Sequence, residues 1–195
     1  LMAQACGMTA LVRVHSADVG TVGPVLDCGA TGLIIPHVSH RQDIEAALAL
    51  AKYPPLGQRS MAALSAASGY RRASAADAMR QRNEEVFIIA MIETAEGVDK
   101  AQEIAATEGV DALMMGPMDL SLELGIPGEV RHERICQAYH RAAAAARQCG
   151  KHFVAGGAGG PPAAEMVQAG AQLLMGSNDS AYLIDVLQKA AQGLQ

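Results

Sequence analysis

No apolar run in these 195 residues approaches the roughly 20 that a membrane span requires, and stretches such as VFIIAMI at 86–92 stop well short. The chain therefore reads as soluble. Positive charge is also scarce. Fifteen Lys plus Arg stand against 20 Asp plus Glu, a formal net charge of −5, so no basic field is available to hold a nucleic-acid backbone or an anionic membrane surface. The four cysteines, Cys6, Cys28, Cys136 and Cys149, lie far apart without a CxxC pair. This fits neither a disulfide framework nor a zinc-knuckle spacing and agrees best with a reducing cytoplasm. GxSxG is missing, which removes the nucleophile elbow of the α/β-hydrolases. The only lysines are Lys52, Lys100, Lys151 and Lys189. They fall on expected helices or, for Lys151, at the opening of a strand on the opposite rim, so Schiff-base chemistry from inside a barrel is disfavoured. The chain begins at Leu1 without a Met and without the zones of a signal peptide. Its first residues, LMAQACG, read as the tail of a helix closed by Gly7, and we expect an N-terminal truncation.

What is present is 50% hydrophobic and 18% charged, the balance of a single α/β-sized domain spanning residues 1–195. Runs rich in branched or apolar residues recur at ALVRV (10–14), GLIIP (32–36), VFIIAMIE (86–93), DALMMG (111–116), HFVAGG (152–157) and QLLMGS (172–177), predicting six strands. Helical periodicity lies between most of them. Ile44, Ala47, Leu48 and Ala51 follow an i, i+3, i+4, i+7 pattern, with Ser39 and Gln42 as a capping-box pair. Further helices are expected over Val98 to Ala106 and Glu133 to Gln148, the latter closed by Gly150. Strand and helix in alternation demand parallel strands with helices packed outside, which leaves a doubly wound sheet or a (β/α)8 barrel. The barrel is favoured because the strands end in similar polar or glycine-bearing turns, as when one rim carries the chemistry. Six strands are two short of a barrel, and loss of an N-terminal βαβ portion explains both the deficit and the missing Met. The stretch YPPLGQRSMAALSAASGY at 53–70 has no clean period and reads equally as a lid, a subunit contact or a surface excursion.

Alternation along VFIIAMIE puts Phe87, Ile89, Met91 and Glu93 on one face, with Glu93 at the carboxyl end of the strand. Asp119 follows the next strand in the same way. Each carboxylate alone reads better as a helix N-cap or its partner. Placed together after consecutive strands, they repel unless a cation sits between them, which points to a hard divalent ion such as Mg2+ or Mn2+. Arg13 lies inside an otherwise apolar strand, where arginine is rarely buried without an anion. Its fork suits a carboxylate or an enolate oxygen, or a structural ion pair with a neighbouring acid. His37 and His40 are spaced i, i+3, but a strand end followed by a helix cap aims them apart, so His37 is read only as a rim residue. The cluster GGAGG at 156–160 matches neither GxGxxG nor a P-loop. It suits close backbone approach to a substrate as well as phosphate binding.

In order along the chain, LVRV, LDCGATGLIIPHV, YPPLGQRS, MIET, EIAATEGVDALMMGPMDLSLELG and AGAQLLMGSND resemble the HpcH/HpaI aldolase family of metal-dependent pyruvate aldolases and citrate-lyase β-subunit-like enzymes. The resemblance implies a (β/α)8 barrel whose first two strands are missing here. It implies a divalent metal, Mg2+, Mn2+ or Co2+, on Glu93 and Asp119, with Arg13 steadying an enolate and Gly116, Pro117 and Met118 contacting the pyruvate carboxylate. The implied reaction is reversible cleavage of a 4-hydroxy-2-oxo acid to pyruvate and an aldehyde, with the metal acting as Lewis acid. A homo-oligomer is implied, with AYLIDVLQKAAQGL as subunit contact or, equally, as ordinary barrel packing through Leu183, Ile184, Val186 and Leu187. Two departures stand out. The family's acid/base histidine, in an Asp-x-Glu-His segment, has no counterpart here, and Met91 stands where a Gln is usual two residues before the metal Glu. The alternatives are an acyl-CoA lyase of the same superfamily and a noncatalytic barrel in which Arg13 pairs directly with Glu93 or Asp119.

Overall fold

Strand signals and helical periods alternate along the chain, and in the computed structural model they condense into one six-stranded parallel sheet in the order β1-β2-β3-β4-β5-β6. The structure describes residues 2–62, 65–70, 74–156 and 163–193. The strands are β1 (Leu11–Arg13), β2 (Gly32–Ile35), β3 (Phe87–Ile92), β4 (Ala112–Met115), β5 (His152–Ala155) and β6 (Leu173–Leu174), one for each expected run. Helices α1 (Met2–Ala5), α2 (Val19–Asp27), α3 (Arg41–Ala51), α4 (Ala75–Glu85), α5 (Ala95–Asp99), α6 (Ala101–Ala105), α7 (Pro117–Glu123), α8 (Glu133–Gln148), α9 (Ala163–Gln168) and α10 (Asp179–Gln192) connect or flank them. The sheet curls into a half-barrel, which settles the choice between doubly wound and barrel-like forms in favour of the latter.

Alternation along each strand divides the core in two. Leu33 and Ile35 of β2, Ile88, Ala90 and Ile92 of β3, and Leu113 and Met115 of β4 face the helices, where they pack with Leu26, Ile44, Ile104 and Tyr139. The opposite residues, Ile34, Ile89, Ala112, Met114 and Val154, form a separate inner cluster with Phe87 and Met91. Each large side chain in the outer layer stabilises the fold by roughly 1.5–3 kcal/mol relative to exposure.

Several local expectations are corrected. Helix α3 begins one residue later than the Ser39 and Gln42 pair implies. Its N-cap is His40, and Asp43 accepts the backbone N–H of His40 at 2.8 Å and of Ser39 at 2.9 Å. The Ser39 hydroxyl is instead engaged with that of Thr94 at 2.7 Å. The helix expected over Val98 to Ala106 is two short ones, parted at Lys100. Arg13 is exposed, not buried, because β1 is an edge strand. The apolar positions of α10 do not pack in this sheet: Leu183, Ile184, Val186 and Leu187 are all exposed. In the 53–70 stretch, Ala66–Ser68 form a 3-10 turn and Arg59 is buried against Asp27 at 2.7 Å, which ties the loop to the end of α2. Gly150 takes a φ of +66° at the close of α8, as expected.

Candidate active site

Adjacent parallel strands bring consecutive carboxyl ends side by side. In the β3–β4 ladder Ile92 is opposite Met115, and the Gly116 amide extends it by donating to the Ile92 carbonyl at 2.9 Å. Glu93, the next residue of the first strand, therefore stands directly beside Gly116. A Cβ on Gly116 would come within 2.6 Å of both Cγ and Oε1 of Glu93, so the missing side chain is the space in which the carboxylate lies. Gly116 is also the N-cap of α7, and Pro117 opens it with the missing amide that this position tolerates. Asp119 is thereby carried in the first turn of the helix. The role of N-cap that either acid might have filled belongs to others: Thr94 caps α5 through Gly97 at 3.0 Å, and Gly116 caps α7.

Glu93 is 2% exposed. Its Oε2 accepts the His37 backbone N–H at 2.8 Å and lies 3.0 Å from His37 Nδ1. Ligand atoms of His37, Glu93 and Asp119 lie within 4.8 Å of one another. Burial pushes the Glu93 carboxyl up from its ordinary value. The His37 amide and ring pull the other way, and the neighbouring Asp119 adds to the rise. Two acids in this relation are what a bound divalent cation relieves, and an all-oxygen pair on a partly open cavity is the donor set of a hard ion.

The cavity at this rim has a volume of about 180 Å3 and is lined by Arg13, Glu93, Gly116, Pro117, Met118 and Asp119, with Met91, Met114 and Met175 among its walls. That is below the roughly 300–1,000 Å3 of sites for drug-sized ligands, so it suits a small one. Every site residue expected from the sequence meets here. Among the described residues Arg13 makes no ion pair or hydrogen bond, which leaves its guanidinium open to an anion in the cavity. Gly156 of the glycine cluster reaches the same cavity, and its carbonyl accepts the Tyr139 hydroxyl at 2.6 Å. Residues 157–160 of that cluster lie outside the described residues. His40 points away, toward Lys100 and Glu96.

Residues 1–184 match the family model described as HpcH/HpaI aldolase/citrate lyase. The chain belongs to this family. It is 38% identical over 147 residues to a 4-hydroxy-4-methyl-2-oxoglutarate aldolase of Chaetomium globosum, covering 74% of this chain and 55% of that one. It is 39% identical over 132 residues to a 2-dehydro-3,6-dideoxy-6-sulfogluconate aldolase of Pseudomonas putida, covering 68% and 51%. The chain thus spans about half the length of these relatives. Among solved structures, the HpcH/HpaI aldolase from Desulfitobacterium hafniense DCB-2 superposes with a TM-score of 0.92 at 35% identity, covering 99% of this chain and 74% of that one.

Sequence reasoning underrated His37. Its position just after β2, next to β3 in the sheet, was the available signal. What the sequence does not display is its backbone: φ is +54°, and this turns the residue onto Glu93. The methionines contributed by β4 and by the segment after β6, Met114 and Met175, also went unnoticed as cavity walls.

Proposed function

We propose that the protein is a metal-dependent carbon–carbon lyase that reversibly cleaves a 4-hydroxy-2-oxo acid to pyruvate and an aldehyde. The observation that carries this reading is the meeting of Glu93 and Asp119 at neighbouring strand ends, with an unpaired Arg13 on the same small cavity. The relatives named above as 2-oxo acid aldolases support it. The noncatalytic alternative required Arg13 to pair with Glu93 or Asp119, and among the described residues it pairs with neither.

Glu93 and Asp119 would hold the ion, Mg2+, Mn2+ or Co2+, through carboxylate oxygens. When bound, it supplies Lewis-acid stabilisation of negative charge on a substrate oxygen. Arg13 sets its fork of donors on the oxo acid and holds charge that develops at the 2-oxo oxygen. The backbone of Gly116 to Met118 borders the substrate carboxylate and fixes its orientation. Met91, Met114 and Met175 give the cavity an apolar wall. Met91 offers no strong donor, so the substrate is held by charge at one end and by packing along its side.

The reading extends to the whole assembly. The six strands form the larger part of an eight-stranded barrel, and the exposed apolar residues of α10 serve a subunit contact in a cytoplasmic homo-oligomer. Among the described residues the outer edges of β1 and β6 carry no further strand, which supports the first proposal, and the exposure of Leu183, Ile184, Val186 and Leu187 supports the second.

The test is deuterium exchange into the pyruvate methyl group, followed with and without Mn2+ in the protein with its N-terminal region and in its Asp119→Ala variant. We expect exchange that depends on Mn2+ and falls to background in the variant. Exchange at background under every metal would remove the pyruvate-lyase reading.

A further inference from the structure

We propose that His37 is a positioning residue that takes up one oxygen of Glu93 and thereby commits the other to the metal. This rests on the metal reading given above and concerns how the buried carboxylate is divided between protein and ion. His37 follows β2 with a φ of +54°, a conformation uncommon outside glycine. In that turn one residue brings two groups to one atom: the backbone N–H donates to Oε2 of Glu93 at 2.8 Å, and ring Nδ1 lies 3.0 Å from the same oxygen as an ion-pair contact. The turn is tied to β3 by the next residue, since the Val38 amide donates to the Met91 carbonyl at 3.1 Å. On the other side, Oε1 is the atom that a Cβ at Gly116 would meet at 2.6 Å, which places it toward the start of the helix carrying Asp119. One oxygen is thus held by the His37 turn and the other is turned toward the second acid.

An ionised carboxylate only accepts hydrogen bonds, and the donor that reaches Oε2 is the His37 backbone N–H, with the ring set against the same oxygen. With Glu93 only 2% exposed, water is poorly placed to substitute for either group. The ring itself is 63% exposed and Glu93 is the partner it meets, so shortening it removes that contact, and leaves the backbone donor, without opening the core. Hydrogen-bond partners of metal-binding carboxylates set their orientation, and losing one typically weakens metal binding by about 10–100-fold.

Mn2+ titration followed by electron paramagnetic resonance of the free ion tests this in the unsubstituted protein and in His37→Ala, His37→Asn and Glu93→Gln variants. Loss of the ring should raise the Mn2+ Kd by about tenfold or more, and Asn, whose side-chain N–H can occupy the place of Nδ1, should restore most of the affinity. Glu93→Gln should bind far more weakly than either. Wild-type affinity in His37→Ala, or an Asn variant no better than Ala, would overturn the role of His37 while leaving the metal site standing. Imidazole nitrogen coupling to bound Mn2+ would overturn it in favour of direct ligation. No Mn2+ binding by the unsubstituted protein would remove the metal site and, with it, the inference.

Discussion

Gly116 is bare because Glu93 fills the volume where its side chain would be. Replacing it by Ala forces a contact of 2.6 Å on Glu93 Cγ and Oε1, which only movement of the carboxylate can relieve. Gly116→Ala should cost about 1–3 kcal/mol of stability through overpacking and about tenfold or more in Mn2+ affinity, read by urea unfolding and by metal titration. Lys52 makes a different kind of demand. It is 6% exposed, and its Nζ donates to the carbonyls of Asn83 and Val86, each at 2.7 Å. Burial pulls its pKa below the usual 10.5, with Asp111 opposing. The unfolded chain therefore holds this proton to higher pH than the folded one, so the contribution of Lys52 to stability rises with pH between its lowered value and about 10.5. Measured by urea unfolding at about pH 8 and about pH 10, the native protein should gain stability relative to Lys52→Met over that interval. Lys52→Met should itself cost about 1–3 kcal/mol for each carbonyl left without a partner, and an unchanged difference between the two pH values would refute the linkage. Much of the site was legible at this scale. Glu93, Asp119 and Arg13 could be placed because strand ends on one rim converge, whatever the details of the turns. Two features belong to the fold alone: the positive φ of His37, which no residue type announces, and the exposure of Arg13, which depends on what lies beside β1.

Among the elements, α8 shows how composition becomes packing. Its buried face is Ile135, Ala138, Tyr139, Ala142, Ala143, Ala145 and Ala146, and the small side chains let the helix lie close to its neighbours. Ala142 is 0% exposed, so Ala142→Leu should destabilise by about 1–3 kcal/mol, measured as a lower urea midpoint with an unchanged slope. Strands were the most readable elements. All six expected runs became strands, and for β2 to β5 the reason is that buried parallel strands are continuous in apolar residues. Helix starts were less readable. Asp43 competes with Ser39 and Gln42 for the end of α3 and prevails because its carboxylate accepts two backbone amides at once. The break at Lys100 carries no glycine or proline to mark it.

For the molecule as a whole, the two outer strands and the last helix are the unsatisfied parts. Leu11 on β1 and Leu173 and Leu174 on β6 are exposed, as is the apolar side of α10. Open parallel edges beside apolar surface invite pairing, so the 195-residue chain by itself should sediment as species larger than its 20.2 kDa. A monomer with one cooperative unfolding transition would contradict this. That openness was legible only as a deficit of strands. Which surfaces it exposes was not, because periodicity reports that a face is apolar and not what covers it. The same strand order has a consequence for the chain as it is made. Every strand is hydrogen-bonded to the one before it in sequence, so each βα unit leaving the ribosome meets a finished edge on which to dock. Synthesis from the N-terminus at roughly 5–20 residues per second can then lay the sheet down in order, and the carboxylates of the site come together only when β4 and the turn after it have been added to β3.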